Sequence, residues 1–289
     1  MTAINNGFLT AEISEIGAEL TKLSSTSTDY LWNGNPLFWT GHAPVLFPFV
    51  GRLADKCYVY EGKTYGPVNI HGFAPKARFL TESWEDSACT MLLVREPFMR
   101  KIYPFDFDFR VRYELEKRTL RVKYLVTNRG KGNMYYGLGS HPGINVPLTK
   151  GIPFEDYFLE FPYAKDVKQR IFTDGVLDTG LCKPYELENG RLYLKHNLFD
   201  NDAVCLENTG HVVLLRTEKD KKSVRVEYPQ TKWCALWHKT GAKAPYVCIE
   251  PWFTLPGTED AFDIGKSNNM LHLGSGKSAQ HNLTITVSE

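Results

Sequence analysis

Apolar and charged residues alternate at every second position through much of this chain. In "FDFDFRVRYEL", Phe105, Phe107, Phe109, Val111, Tyr113 and Leu115 occupy one set of positions, and Asp106, Asp108, Arg110, Arg112 and Glu114 the other. Successive side chains of a strand point to opposite faces, so this pattern predicts a strand with one face buried and one wet. "LRVKYLVTN" (Leu120 to Asn128) repeats the pattern after a short polar turn, which predicts an antiparallel hairpin. Similar runs follow at "SVRVEYP" (Ser223 to Pro229), "YVCIEPWF" (Tyr246 to Phe253) and "NLTITVSE" (Asn282 to Glu289). Turn-forming segments such as "NRGKGNM", "FTDGVLDTG" and "ENTGH" separate them, and capped helical periodicity is scarce. The expectation is an antiparallel all-β protein with few short helices. No linker, internal repeat or low-complexity tract divides it, so residues 1–289 read as a single domain.

One stretch breaks the alternation. "YYGLGSHPG" sets His141 among Gly137, Gly139 and Gly143. In an extended strand Gly137 and Gly139 share the face of His141, leaving the imidazole above a cleared patch. Pro142 restricts the backbone of His141 and ends ordinary ladder pairing. The stretch fits either a structural histidine beside a bulge or a pinned imidazole beside a ligand. Glu250 in "CIEPWF" also precedes a proline, and a regular strand places it on one face with Tyr246, Cys248 and Trp252. A carboxylate in so apolar a strand is solvated, paired or functional, because burying an unpaired charge is costly. Arg52, which follows an apolar run and Gly51, is its obvious structural partner; His71 in "NIHGFAP" reads equally as a turn residue.

Composition narrows the classes. A net charge of +1 gives no electrostatic case for nucleic acid or an anionic membrane surface. No apolar run approaches the roughly 20 residues that span a bilayer, and the N-terminus lacks the basic and apolar regions of a secretory signal. Six cysteines are spread singly, so reduced thiols and a cytoplasmic location are expected. No cysteine or histidine pair falls at metal-site spacing, and neither a metal nor another cofactor is expected. "LGSGKS" ends like a phosphate-binding loop, but Leu271 stands where that motif needs its first glycine and no helix pattern follows.

"FPFVGRLADKCYVYEGKTY", "NIHGFAP", "GLGSHPGINVP" and "CIEPWF" occur in the order and context of the signature segments of the aldose 1-epimerase (galactose mutarotase) family. The chain resembles that family over its whole length, and most closely its LacX-like branch. The resemblance implies a large antiparallel β-sandwich with a sugar cleft, and cofactor-free interconversion of the α and β anomers of a free aldose of the galactose or glucose type. It implies that His141 is the general acid and Glu250 the general base, and that Arg52 and His71 bind sugar oxygens. Trp237 and Trp252 are candidate walls against the apolar face of the sugar. One departure stands out: the branch pattern "HGFAR" is replaced by Pro75, Lys76, Ala77 and Arg78 after Ala74. Lys76, Arg78 or Lys239 could form a cationic subsite, which leaves open a mutarotase for a 6-phosphorylated sugar. A non-catalytic carbohydrate-binding protein is the alternative from another class. A glycosidase would ordinarily present paired carboxylates, whereas this constellation offers one carboxylate and two histidines.

Overall fold

The computed structural model describes residues 1–260 and 262–289, and two large antiparallel sheets dominate it. The first has nine strands, ordered Arg191–Tyr193, Tyr157–Glu160, Val212–Thr217, Ser223–Glu227, Ser278–Ser288, Thr119–Asn128, Phe107–Glu116, Ala88–Leu93 and Phe79–Glu85. The expected hairpin lies at its centre, with Glu116 paired to Thr119 and Phe107 to Asn128. Residues of Phe107–Glu116 alternate between buried and half-buried, as the sequence pattern requires. The second sheet has eight strands and centres on Tyr246–Trp252, flanked by Trp233–Trp237 on one side and by Gly139–Ser140 and Gly143–Asn145 on the other.

The two sheets form a β-sandwich. Phe109, Val111, Val122 and Ile285 from the first share one apolar core with Leu206, Leu236, Val247 and Ile249 from the second. Phe47 enters this core stacked on Phe109, with ring centroids 4.2 Å apart. Burying a side chain of this size contributes about 1.5 to 3 kcal/mol, so these alternating positions fix which face of each strand turns inward.

The alternation along Tyr246–Trp252 positions everything that follows. Val247 and Ile249 face the sandwich core, while Cys248 and Trp252 pack into two separate small clusters on the opposite face. Glu250, between them, shares that outer face, as the sequence predicted. All seven residues of the strand are buried, because loops cover the outer face as well.

Among the described residues, helix is limited to one six-residue α-helix, Pro97–Ile102, and short 3₁₀ turns. The segment "LGSGKS" runs from the strand Leu271–Leu273 into Ser278–Ser288 with no helix between them. All six cysteines are free, and no helix among the described residues is long and apolar enough to cross a membrane.

The glycine stretch departs from expectation. Met134–Tyr136 pairs with Leu271–Leu273, and a separate strand begins at Gly139, so Tyr135 to His141 is not one regular strand. The space at the glycines is filled by the protein itself. A β-carbon on Gly137 would lie 2.8 Å from Thr254 Oγ1 and 3.0 Å from Phe49 Cα. One on Gly139 would lie 2.9 Å from Leu46 Cδ1 and 3.3 Å from Trp252 Cδ1. These glycines admit neighbouring chain, and at Gly139 they let the Trp252 indole pack against the backbone.

Candidate active site

His141 occupies the gap between Gly139–Ser140 and Gly143–Asn145, both paired with the central strand. The register that joins Gly139 to Trp252 and Gly143 to Cys248 sets His141 opposite Glu250. Pro142 and Pro251 remove ladder donors beside the pair, and the local backbone bond runs from Ile249 N–H to the Pro142 carbonyl at 3.1 Å. The imidazole and carboxylate meet directly, with Nε2 3.2 Å from Oε2.

Glu250 is 1 % exposed and accepts a hydrogen bond from Trp252 Nε1–H at 3.1 Å. Trp39 lies against the His141 ring, with centroids 4.9 Å apart and planes 31° apart, while Trp237 meets it edge-on at 5.7 Å. Taking these groups out of water penalises their charged forms. Burial pushes His141 down to about 4 and raises Glu250 well above the usual carboxylate range. Both shifts favour a carboxylic acid beside a neutral imidazole. The alternative, carboxylate beside imidazolium, has the same atoms with one proton moved across the 3.2 Å contact.

His71 stands over this pair, its ring 5.6 Å from that of His141 and perpendicular to it. Its backbone is left-handed, with φ of 64°, an uncommon conformation for a non-glycine residue. The turn is held by His71 N–H donating to the Gly51 carbonyl at 2.8 Å, while Gly51 N–H donates to His71 Nδ1 at 3.0 Å. Burial, with further contributions from His141 and Arg52, holds His71 well below the ordinary histidine range. A neutral ring accepting at Nδ1 carries its hydrogen on Nε2, so His71 offers a fixed N–H donor.

A cavity of about 320 Å³ gathers His141, Glu250, His71, Arg52, Trp237 and Trp252 along one wall or another. All six candidate residues therefore meet at one place. The structural pairing of Arg52 with Glu250 is not found: among the described residues no ion pair joins them, and Arg52 is exposed. The loop carrying Arg52 runs along the rim, and the acid of Glu250 is held by Trp252 and His141 instead. At the "HGFAR" departure, the 3₁₀ turn Ala74–Lys76 brings Pro75 and Lys76 to the cavity. Arg78 does not line the cavity: its backbone pairs with Ile16 and the residue is exposed.

Among the cavity residues that escaped the sequence reading, Trp39 and Asp202 bear on its chemistry. Trp39 sits in "LFWTGHAP", where no alternation marks it out from other core tryptophans. Asp202 lies in the polar turn "FDNDAV" and resembles any turn aspartate. Its φ of 70° and its Oδ1, which accepts Ala203 N–H at 2.8 Å, fix it at the cavity, where its charge adds to the upward push on Glu250. The site thus holds a second carboxylate.

Metal-site spacing also missed a convergence. Donor atoms of His141, Cys248 and Glu250 lie within 4.8 Å of one another, because alternation puts Cys248 and Glu250 on one face. A cation there would occupy the same nitrogen and carboxylate that form the proton-bearing pair. Burial raises the Cys248 thiol well above its ordinary range and keeps it protonated, which works against its use as a ligand.

Comparison with known proteins gives a consistent answer. A family model described as aldose 1-epimerase matches residues 1–284. The plasmid-encoded protein LacX of Lactococcus lactis subsp. lactis is 32% identical over 259 residues, covering 86% of each chain. A galactose mutarotase related enzyme from Lactobacillus acidophilus superposes with a TM-score of 0.93 at 35% identity, covering 100% of this chain and 97% of the other. A galactose mutarotase-like protein from Lactobacillus casei superposes with a TM-score of 0.93 at 30% identity, over 100% of both chains.

Proposed function

The chain belongs to the aldose 1-epimerase family, and from that premise we propose that it opens and recloses the ring of a free aldose of the galactose or glucose type, with His141 and Glu250 as the proton-transfer pair. The observation that carries this reading is the direct contact of an imidazole and a carboxylate inside a small cavity walled by tryptophans. In a pyranose the ring oxygen and the anomeric hydroxyl are attached to the same carbon. An acid and a base that lie side by side can therefore reach both.

Glu250, as carboxylate, takes the proton of the anomeric hydroxyl while His141, as imidazolium, gives one to the ring oxygen. The C1–O5 bond breaks, C1 becomes an aldehyde carbonyl, and the C1–C2 bond rotates. Closure on the other face returns each proton, so the pair is regenerated. The resting tautomer, with the proton on Glu250, converts to this one by a single shift between partners already in contact. General acid–base catalysis of this kind contributes about 10² to 10⁴-fold, and positioning adds to it.

In this reading His71 Nε2–H and the Arg52 guanidinium donate to sugar oxygens, and Trp237 and Trp252 bound the ring. Polar groups converging on a cavity otherwise walled by tryptophans, prolines and small aliphatic residues are the usual build of a small-ligand site. A carbohydrate-binding protein needs donors and walls but has no use for a proton-transfer pair.

The test is NMR exchange between α and β anomers for a panel of aldoses and their 6-phosphates, in weak buffer, with and without protein. Acceleration on free sugars supports the proposal. Acceleration confined to phosphate esters would move the substrate to phosphosugars, and binding without acceleration would make the protein a sugar receptor.

A further inference from the structure

Residues 32–44 form no strand, yet this loop covers the reacting pair. Trp39 lies against the His141 ring and lines the cavity together with Pro44. The loop also brackets His141 along the chain. Val45 and Leu46, which follow it, pair with Ser140 and Gly139, while the His42 carbonyl accepts Gly143 N–H at 2.8 Å. Its path therefore decides both where the imidazole stands and what covers its face.

A side chain from another part of the fold holds that path. Glu19 Oε1 accepts His42 N–H at 2.6 Å and Ala43 N–H at 3.0 Å, and His42 Nδ1 stands 3.7 Å from the same oxygen. Hydrogen bonds from backbone amides to a carboxylate are charge-assisted and roughly twice as strong as neutral ones. The Glu19 side chain is only 18% exposed, so little water is at hand to replace them. Glu19 does not itself line the cavity.

The anchor is rigid. Glu19 follows Ala18, whose φ of 47° is left-handed and whose carbonyl accepts the Tyr113 hydroxyl at 2.6 Å. Leu20–Ser24 then continues as a strand paired with Thr10–Ile13. Tyr113 belongs to the central hairpin of the nine-stranded sheet, so Glu19 ties the loop to the framework of the sandwich. Within the loop, Trp32 Nε1–H donates to the Trp39 carbonyl at 2.8 Å. Gly41 lies so close to the Trp39 ring that a β-carbon there would be 2.5 Å from Cζ2. The Glu19 charge also reaches the imidazole, where it opposes burial, the dominant effect that pushes His141 down to about 4.

We propose that Glu19 is a positioning residue for proton transfer: by clipping the amides of His42 and Ala43 it holds the His141 imidazole and the Trp39 wall in line with Glu250. This rests on the epimerase reading of the cavity. The His141–Glu250 contact of 3.2 Å leaves little tolerance, since a displacement of about 1 Å can cost about 10²-fold in rate.

The experiment compares wild-type protein with Glu19→Gln, Glu19→Asp and Glu19→Ala, measuring anomer exchange per folded molecule, with the folded fraction taken from urea melts. Glutamine keeps the reach and an accepting oxygen but gives up the charge. Aspartate keeps the charge and falls one methylene short. Aspartate and alanine are expected to lower kcat by about 10 to 100-fold with KM little changed, while glutamine stays within a few-fold of wild type. Unchanged kcat per folded molecule in aspartate and alanine would make Glu19 a purely structural residue and overturn the proposal. Glutamine no faster than aspartate would show that the reaction uses the charge rather than the clip, and a loss confined to KM would place Glu19 in sugar binding; either overturns it. Should alanine fail to fold, glutamine and aspartate compared with each other still decide. A wild-type protein that exchanges no sugar would remove the epimerase reading and this proposal with it, whereas an active wild type with a flat series removes the proposal alone.

Discussion

Gly51 N–H donates to His71 Nδ1 at 3.0 Å, and this one backbone bond sets the tautomer of a histidine lining the cavity. A backbone amide can only donate, so Nδ1 must accept and the ring hydrogen sits on Nε2. The sequence placed His71 beside Gly72 and Phe73 but held no sign of its partner, which lies 20 residues earlier. His71→Phe keeps the ring size and removes both nitrogens. It is expected to lower kcat/KM for anomer exchange by about 5 to 150-fold, since leaving a buried sugar oxygen without its donor costs about 1 to 3 kcal/mol, chiefly through KM. Steady-state kinetics on the preferred aldose checks this, and an unchanged KM would remove His71 from sugar binding.

The pH profile of exchange follows from the buried pair. The active composition has one proton shared by His141 and Glu250 beyond the imidazole's own. Because burial holds His141 down to about 4, a second proton enters only in strongly acidic solution. Because burial raises Glu250, the shared proton leaves only on the alkaline side of the usual carboxylate range. No acid limb is expected down past pH 6, and activity is expected to fall only as pH approaches about 4. An acid limb centred near about 6.5, the value for a solvated histidine, would contradict the desolvated pair.

Gly72 controls where His71 stands. Its φ is +78°, and a β-carbon there would collide with the Phe47 carbonyl, which accepts from both Phe73 and Ala74 N–H. Gly72→Ala is expected to cost more than about 1 kcal/mol, since alanine cannot take positive φ without strain. Urea unfolding measures the loss, and kinetics on the folded fraction should show a raised KM as His71 shifts.

His281 supplies a stability signal away from the cavity. Its Nε2 is 2.9 Å from the Tyr136 hydroxyl, its ring meets Phe253 edge-on, and burial pushes it down to about 4. In the unfolded chain an imidazole takes its proton near about 6.5. Between those values the unfolded state binds more protons than the folded one, so stability increases with pH across the window and is lost as pH falls from about 6.5 toward 4. His141 acts in the same direction. The slope is expected to reach up to about 1.4 kcal/mol per pH unit for each such histidine. His281→Gln should flatten it in urea melts taken at several pH values.

The hairpin of Phe107–Glu116 and Thr119–Asn128 was legible because a half-buried antiparallel strand writes its period directly into the residue types. Glu250 was legible for the complementary reason: a carboxylate in an apolar strand is conspicuous. The loop contributions were not. Trp39 and Asp202 reach the cavity through turns whose path depends on distant backbone, and Arg52 looked like an ion partner because residue type alone does not say which bonds Glu250 already has. The glycines around His141 signalled close approach correctly, but what approaches is Leu46, Phe49, Thr254 and Trp252.

The most direct test of the account is anomer exchange by Glu250→Gln on the preferred aldose, read by NMR alongside sugar binding. The amide keeps the size of the side chain and its contact with Trp252 but cannot carry a proton between oxygen and imidazole. The expected result is a loss of about 10² to 10⁴-fold in kcat with binding retained. Exchange at the wild-type rate would show that the 3.2 Å contact between His141 and Glu250 is a structural pairing and that the proton-transfer pair lies elsewhere.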